Sequence, residues 1–293
     1  MSGFTKVLGF LGLSVFVLSV AGCCTTQKTT QAAGGVKMMV ETWHADSLAG
    51  PMKEMKKAFE ARNAAVTVNL TSGRSKELAE RILKGEACDV FAPSDPAVAK
   101  EMFGKQVGGK AAASWYVVFS ANEMVVITGK GNPLGIKKMA DLAKSGVQLA
   151  RVTGEKDMAT NRTIEFIKRA VAAEGKPEVA QKIIDGALKE NTIPDVLKAV
   201  KSGKAHAGIA YLSAAVTVAG DADILYFPAK VNLSENIRNV ATIPATAGNA
   251  AAAESFIRFM LSEEGRQILK KTGQPPIVPP IKEGNVPFDI SRD

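Results

Sequence analysis

Short strand-like and helix-like segments alternate along most of this chain, and this alternation constrains the fold more than any other feature. Residues 36–43 and 66–70 have the pattern of strands, whereas residues 48–61 place apolar side chains at helical spacing. A second helical segment, residues 76–84, leads into an apolar strand at 89–92. This β-α-β-α-β order predicts an α/β fold with a mostly parallel sheet flanked by helices.

A second unit with the same character begins at residue 124 and includes a predicted helix at 179–190, and the chain closes with helices at 250–261 and 263–272. The length of 293 residues suits two lobes by the usual size of roughly 150 residues for each. We expect one lobe to hold residues 36–118 plus 240–293 and the other to hold residues 119–239. The chain would then cross between the lobes twice.

The first residues have the pattern of an export signal. Lys6 precedes an apolar run of 15 residues, Val7 to Ala21, which is shorter than the roughly 20 residues of a membrane span. Small residues before Cys23 resemble a bacterial lipobox. We therefore predict a signal peptide at 1–22, lipidation of Cys23, a polar tether at 23–35, and a lipoprotein held at the periplasmic or cell-envelope face of a membrane.

Composition argues against several classes of function. The formal charge is +8, but no block of lysine and arginine with interleaved aromatic residues indicates a nucleic-acid partner. Cys88 is the only cysteine beyond the tether, so no disulfide is expected within the folded body. His44 and His206 are the only histidines, and no Gly-x-Ser-x-Gly motif occurs. We expect a protein that is not an enzyme and that needs no cofactor.

Serine or threonine precedes several of the predicted helices, namely at Ser47, Ser75, Thr160 and Thr192. Ordinary helix capping explains each of them taken alone. However, ligands bind to α/β folds at the carboxyl ends of the strands, where helix N-termini offer free N–H groups. Four such starts on opposing units would form a cage of donors for an oxyanion.

Longer segments carry a resemblance to a known family, the periplasmic molybdate-binding proteins of ABC transporters, which are type II solute-binding proteins. These segments are Ser75–Ile82, Gly85–Asp95, Asn122–Ile127, Gly208–Ser213 and Phe256–Gly265. The resemblance runs from about residue 36 to 279 and implies a two-lobed periplasmic-binding-protein fold. It also implies molybdate or tungstate as ligand, a membrane permease as partner and a monomeric chain.

The resemblance implies a ligand contact at five positions. Ser47 and Ser75 would contribute hydroxyls and amides from the first lobe. Ala159 and Ile193 would contribute backbone amides from the second lobe, and Tyr211 would contribute its hydroxyl. Molybdenum or tungsten would be bound only as part of the oxyanion.

Three features depart from the family pattern. Asp46 stands where a small residue is usual, Arg74 precedes the second serine, and residues 158–162 replace the usual Pro-Ala-Gly-x-Tyr loop. Sulfate, phosphate or another small anion remains an alternative ligand, because a protonated phosphate would use an acceptor such as Asp46. An envelope hydrolase is the alternative from another class of protein.

Overall fold

The computed structural model describes residues 37–154 and 158–290. The predicted signal peptide, Cys23 and the tether lie outside the described residues. The first half contains β1 (Met38–Ala45), α1 (Ala49–Arg62), β2 (Val66–Gly73), α2 (Ser75–Leu83), β3 (Val90–Ala92), α3 (Pro96–Glu101), β4 (Gln106–Val107), β5 (Lys110–Ala111), β6 (Trp115–Ala121) and β7 (Met124–Gly129). The second half contains β8 (Leu149–Val152), α4 (Met158–Ala173), α5 (Ala180–Gly186), β9 (Leu188–Glu190), α6 (Ile193–Lys201), β10 (Ala207–Tyr211), α7 (Leu212–Ala215), β11 (Ala222–Leu225), β12 (Arg238–Ala241), α8 (Ala250–Leu261), α9 (Glu263–Lys271) and β13 (Pro276–Gly284).

The first sheet is parallel, with strand order β2-β1-β3. Ala45 at the end of β1 pairs with Gly73 at the end of β2, and His44 pairs with Ala92 at the end of β3. All three carboxyl ends therefore lie at one edge of this sheet.

The second sheet has five strands in the order β11-β7-β10-β8-β9. Strands β8, β9 and β10 are parallel, whereas β7 and β11 run antiparallel to their neighbours. The carboxyl ends of the three parallel strands again share one edge.

A third sheet, β12-β6-β13, is antiparallel. The chain leaves this sheet after β6 for the second sheet, and it returns between β11 and β12. The two passages lie side by side, because the Asn122 amide donates to the Ile237 carbonyl over 2.9 Å.

Separate hydrophobic clusters cover the sheets. The largest cluster joins the first and third sheets to α1, α8 and α9, with Phe59 lying 5.1 Å from Phe256 and 5.5 Å from Phe259 between ring centroids. Two further clusters cover the two faces of the second sheet. The C-terminal helices thus pack on α1, which precedes the first passage between the sheets.

Two local predictions were wrong. We predicted one helix over residues 179–190, but α5 ends at Gly186 and Leu188–Glu190 form β9 beside β8. A three-residue strand is stabilised mainly by its neighbour, so helical periodicity masked it. Ser75, predicted to cap α2, is instead its first residue, and Arg74 occupies the N-cap position.

The described residues contain no disulfide, and Cys88 is a free, fully buried thiol. Burial raises the pKa of this thiol well above its usual value. A buried thiol with a raised pKa is a poor nucleophile, because the thiolate is the reactive form. Among the described helices, we find none with both the length and the apolar character needed to cross a bilayer.

Candidate functional site

Three serine residues lie at the carboxyl edge of the first sheet. Ser47, Ser75 and Ser94 each stand two residues beyond the end of a strand, and these three strands are neighbours. The Ser94 amide donates to Ser75 Oγ over 3.2 Å. Because that bond uses a lone pair of the oxygen, the Ser75 hydroxyl keeps its hydrogen for another acceptor. We call Ser47, Ser75 and Ser94 the hydroxyl edge.

Ser47 lies in a short 3-10 turn, Asp46–Leu48, between β1 and α1. The predicted capping role of Ser47 was wrong, since neither this turn nor α1 has a side-chain cap. The carbonyl oxygen of Ser47 accepts a hydrogen bond of 2.8 Å from Gln274 Nε2. Its side chain is half-buried and is not part of the core.

The charges beside the two serines are engaged by other residues. Asp46 Oδ1 accepts from the Ser72 hydroxyl over 2.6 Å, and Arg74 forms an exposed ion pair of 3.2 Å with Glu77. These contacts hold one carboxylate oxygen of Asp46 against β2. They also place a carboxylate next to the Arg74 cation.

His44 lies under this edge as a buried side chain, 2% exposed. Burial lowers its pKa, although the Ala45 carbonyl and the Asp46 charge act in the opposite direction. Its Nδ1 atom lies 2.9 Å from the Ala45 carbonyl, so that nitrogen carries the hydrogen. His44 is therefore a neutral, buried packing residue near neutral pH.

The second edge lies where the parallel strands of the second sheet end. Ala159 is in the first turn of α4 after β8, Ile193 is the first residue of α6 after β9, and Tyr211 is the last residue of β10. An amide in the first turn of a helix has no intrahelical acceptor. We call Ala159, Ile193 and Tyr211 the amide edge.

The start of α6 confirms one capping prediction. Thr192 Oγ1 accepts from the Asp195 amide over 3.2 Å, and Pro194 follows Ile193 in the first turn. Thr160 was predicted to cap α4, but α4 begins at Met158 and Thr160 lies inside it. The residues just before Met158 lie outside the described part of the chain.

Arg162 places a cation beside Tyr211. Its Nη1 donates to the tyrosine oxygen over 3.3 Å, and the guanidinium carbon lies 5.9 Å from the ring centroid. Because the Tyr211 oxygen accepts this hydrogen bond, the phenolic hydrogen of Tyr211 points away from the Arg162 guanidinium.

One dipeptide lies between Ser47 of the hydroxyl edge and Leu212, which follows Tyr211 of the amide edge. Gln274 donates a hydrogen bond to the Ser47 carbonyl. A Cβ atom added at Gly273 would lie 2.8 Å from the carbonyl oxygen of Leu212, the residue after Tyr211. Gly273 also has φ +69°, a conformation that favours glycine. The structure thus brings Ser47 and Ser75 together on one edge and Ala159, Ile193 and Tyr211 on the other.

Sequence reasoning missed Ser94, Arg162 and Gln274 as parts of this region. Ser94 could have been found, because Pro93-Ser94-Asp95 follows a strand in the same way as the other two serines. Gln274 is 227 positions from Ser47, and no local pattern marks that contact. Among the described residues, no group of three or more His, Cys, Asp or Glu side chains could hold a metal ion.

Two sheets that each carry helix starts at the carboxyl ends of parallel strands, joined by two passages of the chain, are typical of a binding protein with two lobes. The family of bacterial extracellular solute-binding proteins matches residues 40–274. The chain belongs to this family. It is a solute-binding protein and not an enzyme, and its family is extracellular.

Relatives and solved structures agree with this membership. The molybdate-binding protein ModA of Mycobacterium tuberculosis is 29% identical over 273 residues, covering 90% of this chain and 98% of its own. A substrate-binding domain ascribed to a molybdenum ABC transporter of Clostridium difficile has a TM-score of 0.69 at 19% identity, covering 82% of this chain and 100% of its own.

The same fold also serves a different anion. The sulfate-binding protein SubI of Mycobacterium tuberculosis matches with a TM-score of 0.59 at 14% identity, covering 83% of this chain and 88% of its own. The predicted two-lobed fold is therefore confirmed, whereas the fold alone does not select one anion.

Proposed function

We propose that this protein captures a tetrahedral oxyanion, molybdate or tungstate, between the hydroxyl edge and the amide edge and delivers it to an ABC permease. The observation that carries the proposal is the Gly273–Gln274 dipeptide, which contacts Ser47 on one side and Leu212, beside Tyr211, on the other. This contact supports a single cleft lined by donors from both edges.

The chemistry of the donors favours a fully deprotonated anion. Serine hydroxyls, a tyrosine hydroxyl and backbone amides all donate hydrogen bonds, and a dianion such as molybdate only accepts them. Helix N-termini add the positive end of the helix dipole. In this proposal Ser47, Ser75, Ala159, Ile193 and Tyr211 bind the oxygen atoms, and the metal is bound only within the oxyanion.

Ligand capture requires movement between two lobes. We assign residues 36–118 plus 240–293 to one lobe and 119–239 to the other, with a monomeric chain closing around the anion. The two adjacent passages between the sheets would form the hinge. Hinge closure removes water from the ligand and brings both sets of donors onto it.

Sulfate is the second candidate, supported by the fold shared with the sulfate-binding protein. Sulfate and molybdate share charge and hydrogen-bond type, so the size of the cleft would select between them. Phosphate is a further alternative, because its proton needs an acceptor and only one carboxylate oxygen of Asp46 is bonded to Ser72.

Calorimetric titration of the full-length protein with molybdate, tungstate, sulfate and phosphate tests the proposal. We expect tight binding of molybdate and tungstate, and weaker binding of sulfate. Tighter binding of sulfate than of molybdate would replace the ligand assignment, and no binding of any of the four would overturn the proposal.

We also propose that lipid on Cys23 anchors the protein to a membrane. The motivation is the apolar run that ends in small residues before this cysteine. Cys23→Ala should abolish lipid modification in intact-mass analysis of membrane-extracted protein, whereas Cys24→Ala should leave it intact. An unmodified mature chain in the unsubstituted protein would contradict the anchor.

A further inference from the structure

Three fully buried polar side chains form a connected group next to the passages between the sheets. Asn239 Nδ2 donates to Ser120 Oγ over 2.9 Å and to Gln274 Oε1 over 2.8 Å, and Gln274 Nε2 donates to the Ser47 carbonyl. All three side chains are 0% exposed. The group therefore joins paired strands β6 and β12 to the turn that carries Ser47.

The position of this group relates it to the movement proposed above. Ser120 and Asn239 pair across β6 and β12, within three residues of the hydrogen bond between Asn122 and Ile237 that joins the two passages. The Pro275 carbonyl accepts from the Ala121 amide over 2.8 Å. Gln274 thus bonds both to the Ser47 turn and to Asn239 beside the passages, and its neighbour Gly273 lies against Leu212, the residue after Tyr211.

These three buried side chains are polar, although apolar side chains at the same positions would be expected to make the fold more stable. The Oδ1 atom of Asn239 is buried and has no hydrogen-bond partner among the described residues. Incompletely satisfied polar groups in a core reduce stability relative to apolar side chains of the same shape. The polar group gives the Ser47 carbonyl a directional hydrogen bond from Gln274, which an apolar side chain could not provide.

We propose that Gln274 is a positioning residue for oxyanion binding, which holds the Ser47 turn in register with the passages between the sheets. This inference rests on the proposed function. Gln274 does not touch the anion in this account. It fixes the direction of the Ser47 carbonyl, and thereby of the turn whose hydroxyl and amide face the ligand.

The test is molybdate titration of full-length Gln274→Met, which keeps the length of the side chain but removes both hydrogen bonds. We expect binding about tenfold weaker than in the unsubstituted protein, as for the loss of one well-oriented donor. Gln267→Met is the matched control. Gln267 is exposed on α9, where its side-chain amide donates to Glu263, so the affinity of this variant for molybdate should not change.

A double-mutant cycle with Ser47→Ala separates positioning from loss of stability. If Gln274 acts through Ser47, Gln274→Met should weaken binding much less in the Ser47→Ala background. A merely structural role would lower the melting temperature and leave the two effects on affinity additive. Additive effects, or unchanged affinity in a folded Gln274→Met protein, would overturn the inference.

Gln274→Asn serves if the methionine variant does not fold, because the shorter amide cannot span Asn239 and Ser47 at once. Weaker molybdate binding in this variant supports the positioning role, and unchanged binding overturns it. Titration of the unsubstituted protein distinguishes the two proposals. If that protein binds no oxyanion, the proposed function fails; if it binds and both variants bind equally well, only the role of Gln274 fails.

Discussion

The hydroxyl edge and the amide edge occupy equivalent positions in their sheets but use different chemistry. The hydroxyl edge presents serine side chains, and Ser94 supports Ser75 directly. The amide edge presents backbone N–H groups at the first turns of α4 and α6, with the Tyr211 hydroxyl as its only side-chain donor in the proposed set. Side-chain donors can be removed by one substitution, whereas backbone donors tolerate most changes of residue.

The largest effect is expected on the hydroxyl edge. Ser47→Ala or Ser75→Ala removes a donor to a charged acceptor, worth roughly 1.5–3 kcal/mol, which corresponds to about a 10- to 150-fold loss of affinity for molybdate. Ser75→Ala should have the larger effect, because it also leaves the Ser94 amide without its acceptor. Calorimetry measures the affinity, with exposed Ser255→Ala as the control.

Unchanged binding in both folded serine variants would show that these serines only shape the turns. Melting temperatures must be measured beside the affinities, since Ser75 also begins a helix.

A backbone donor on the amide edge can be removed with proline. Ile193→Pro deletes one amide at a helix position that accepts proline, and the extended Thr192 (φ −135°, ψ 160°) suits the residue before it. We expect about tenfold weaker binding of molybdate by calorimetry. Ile193→Val keeps the amide and should bind normally. Equal affinity of the two variants would exclude this amide from the site.

Tyr211→Phe tests the side-chain donor of the amide edge. Loss of this hydroxyl should weaken molybdate binding by about three- to tenfold, less than on the hydroxyl edge, because the Arg162 cation remains nearby. Tyr226→Phe, at a tyrosine that is 62% exposed, is the control for calorimetry. A loss as large as that of Ser75→Ala would reverse the proposed ranking of the two edges.

The smallest effects on molybdate affinity are expected from substitution of carboxylates that lie away from both edges. Burial alone would raise the pKa of Asp141, but hydrogen bonds from Lys144 and from the amides of Lys137 and Lys138 lower it overall. A folded pKa below the unfolded value of about 3.9 stabilises the fold above that pH, and this stabilisation is lost as the pH falls through the folded pKa.

Asp141→Asn should therefore lower the melting temperature at neutral pH by about 2–4 °C and leave molybdate affinity unchanged. The difference from the unsubstituted protein should shrink in thermal scans below about pH 4. Glu60→Gln offers the same comparison near the first sheet, where the Val68 amide and Lys56 lower the pKa of Glu60 against the effect of burial. If the difference in melting temperature persists below about pH 4, the lost stability comes from the altered shape of the side chain and not from the lost charge.

Local chemistry explains what the sequence predicted well. The α/β alternation and the Thr192 cap depend on residues close together in the chain, and both are confirmed. β9 was missed, because three residues that gain their stability from β8 carry little signal of their own. The partnership of Ser94 with Ser75 depends on β3 lying beside β1, and strand order is a property of the whole fold.

The position of a bound heavy anion tests the central claim most directly. Crystals of the full-length protein grown with tungstate would locate the tungsten atom by its anomalous scattering. We predict one tungstate with oxygen atoms about 2.7–3.0 Å from Ser47 Oγ, Ser75 Oγ and the Tyr211 hydroxyl. Tungstate bound to one edge alone, or at a site away from both edges, would contradict the account.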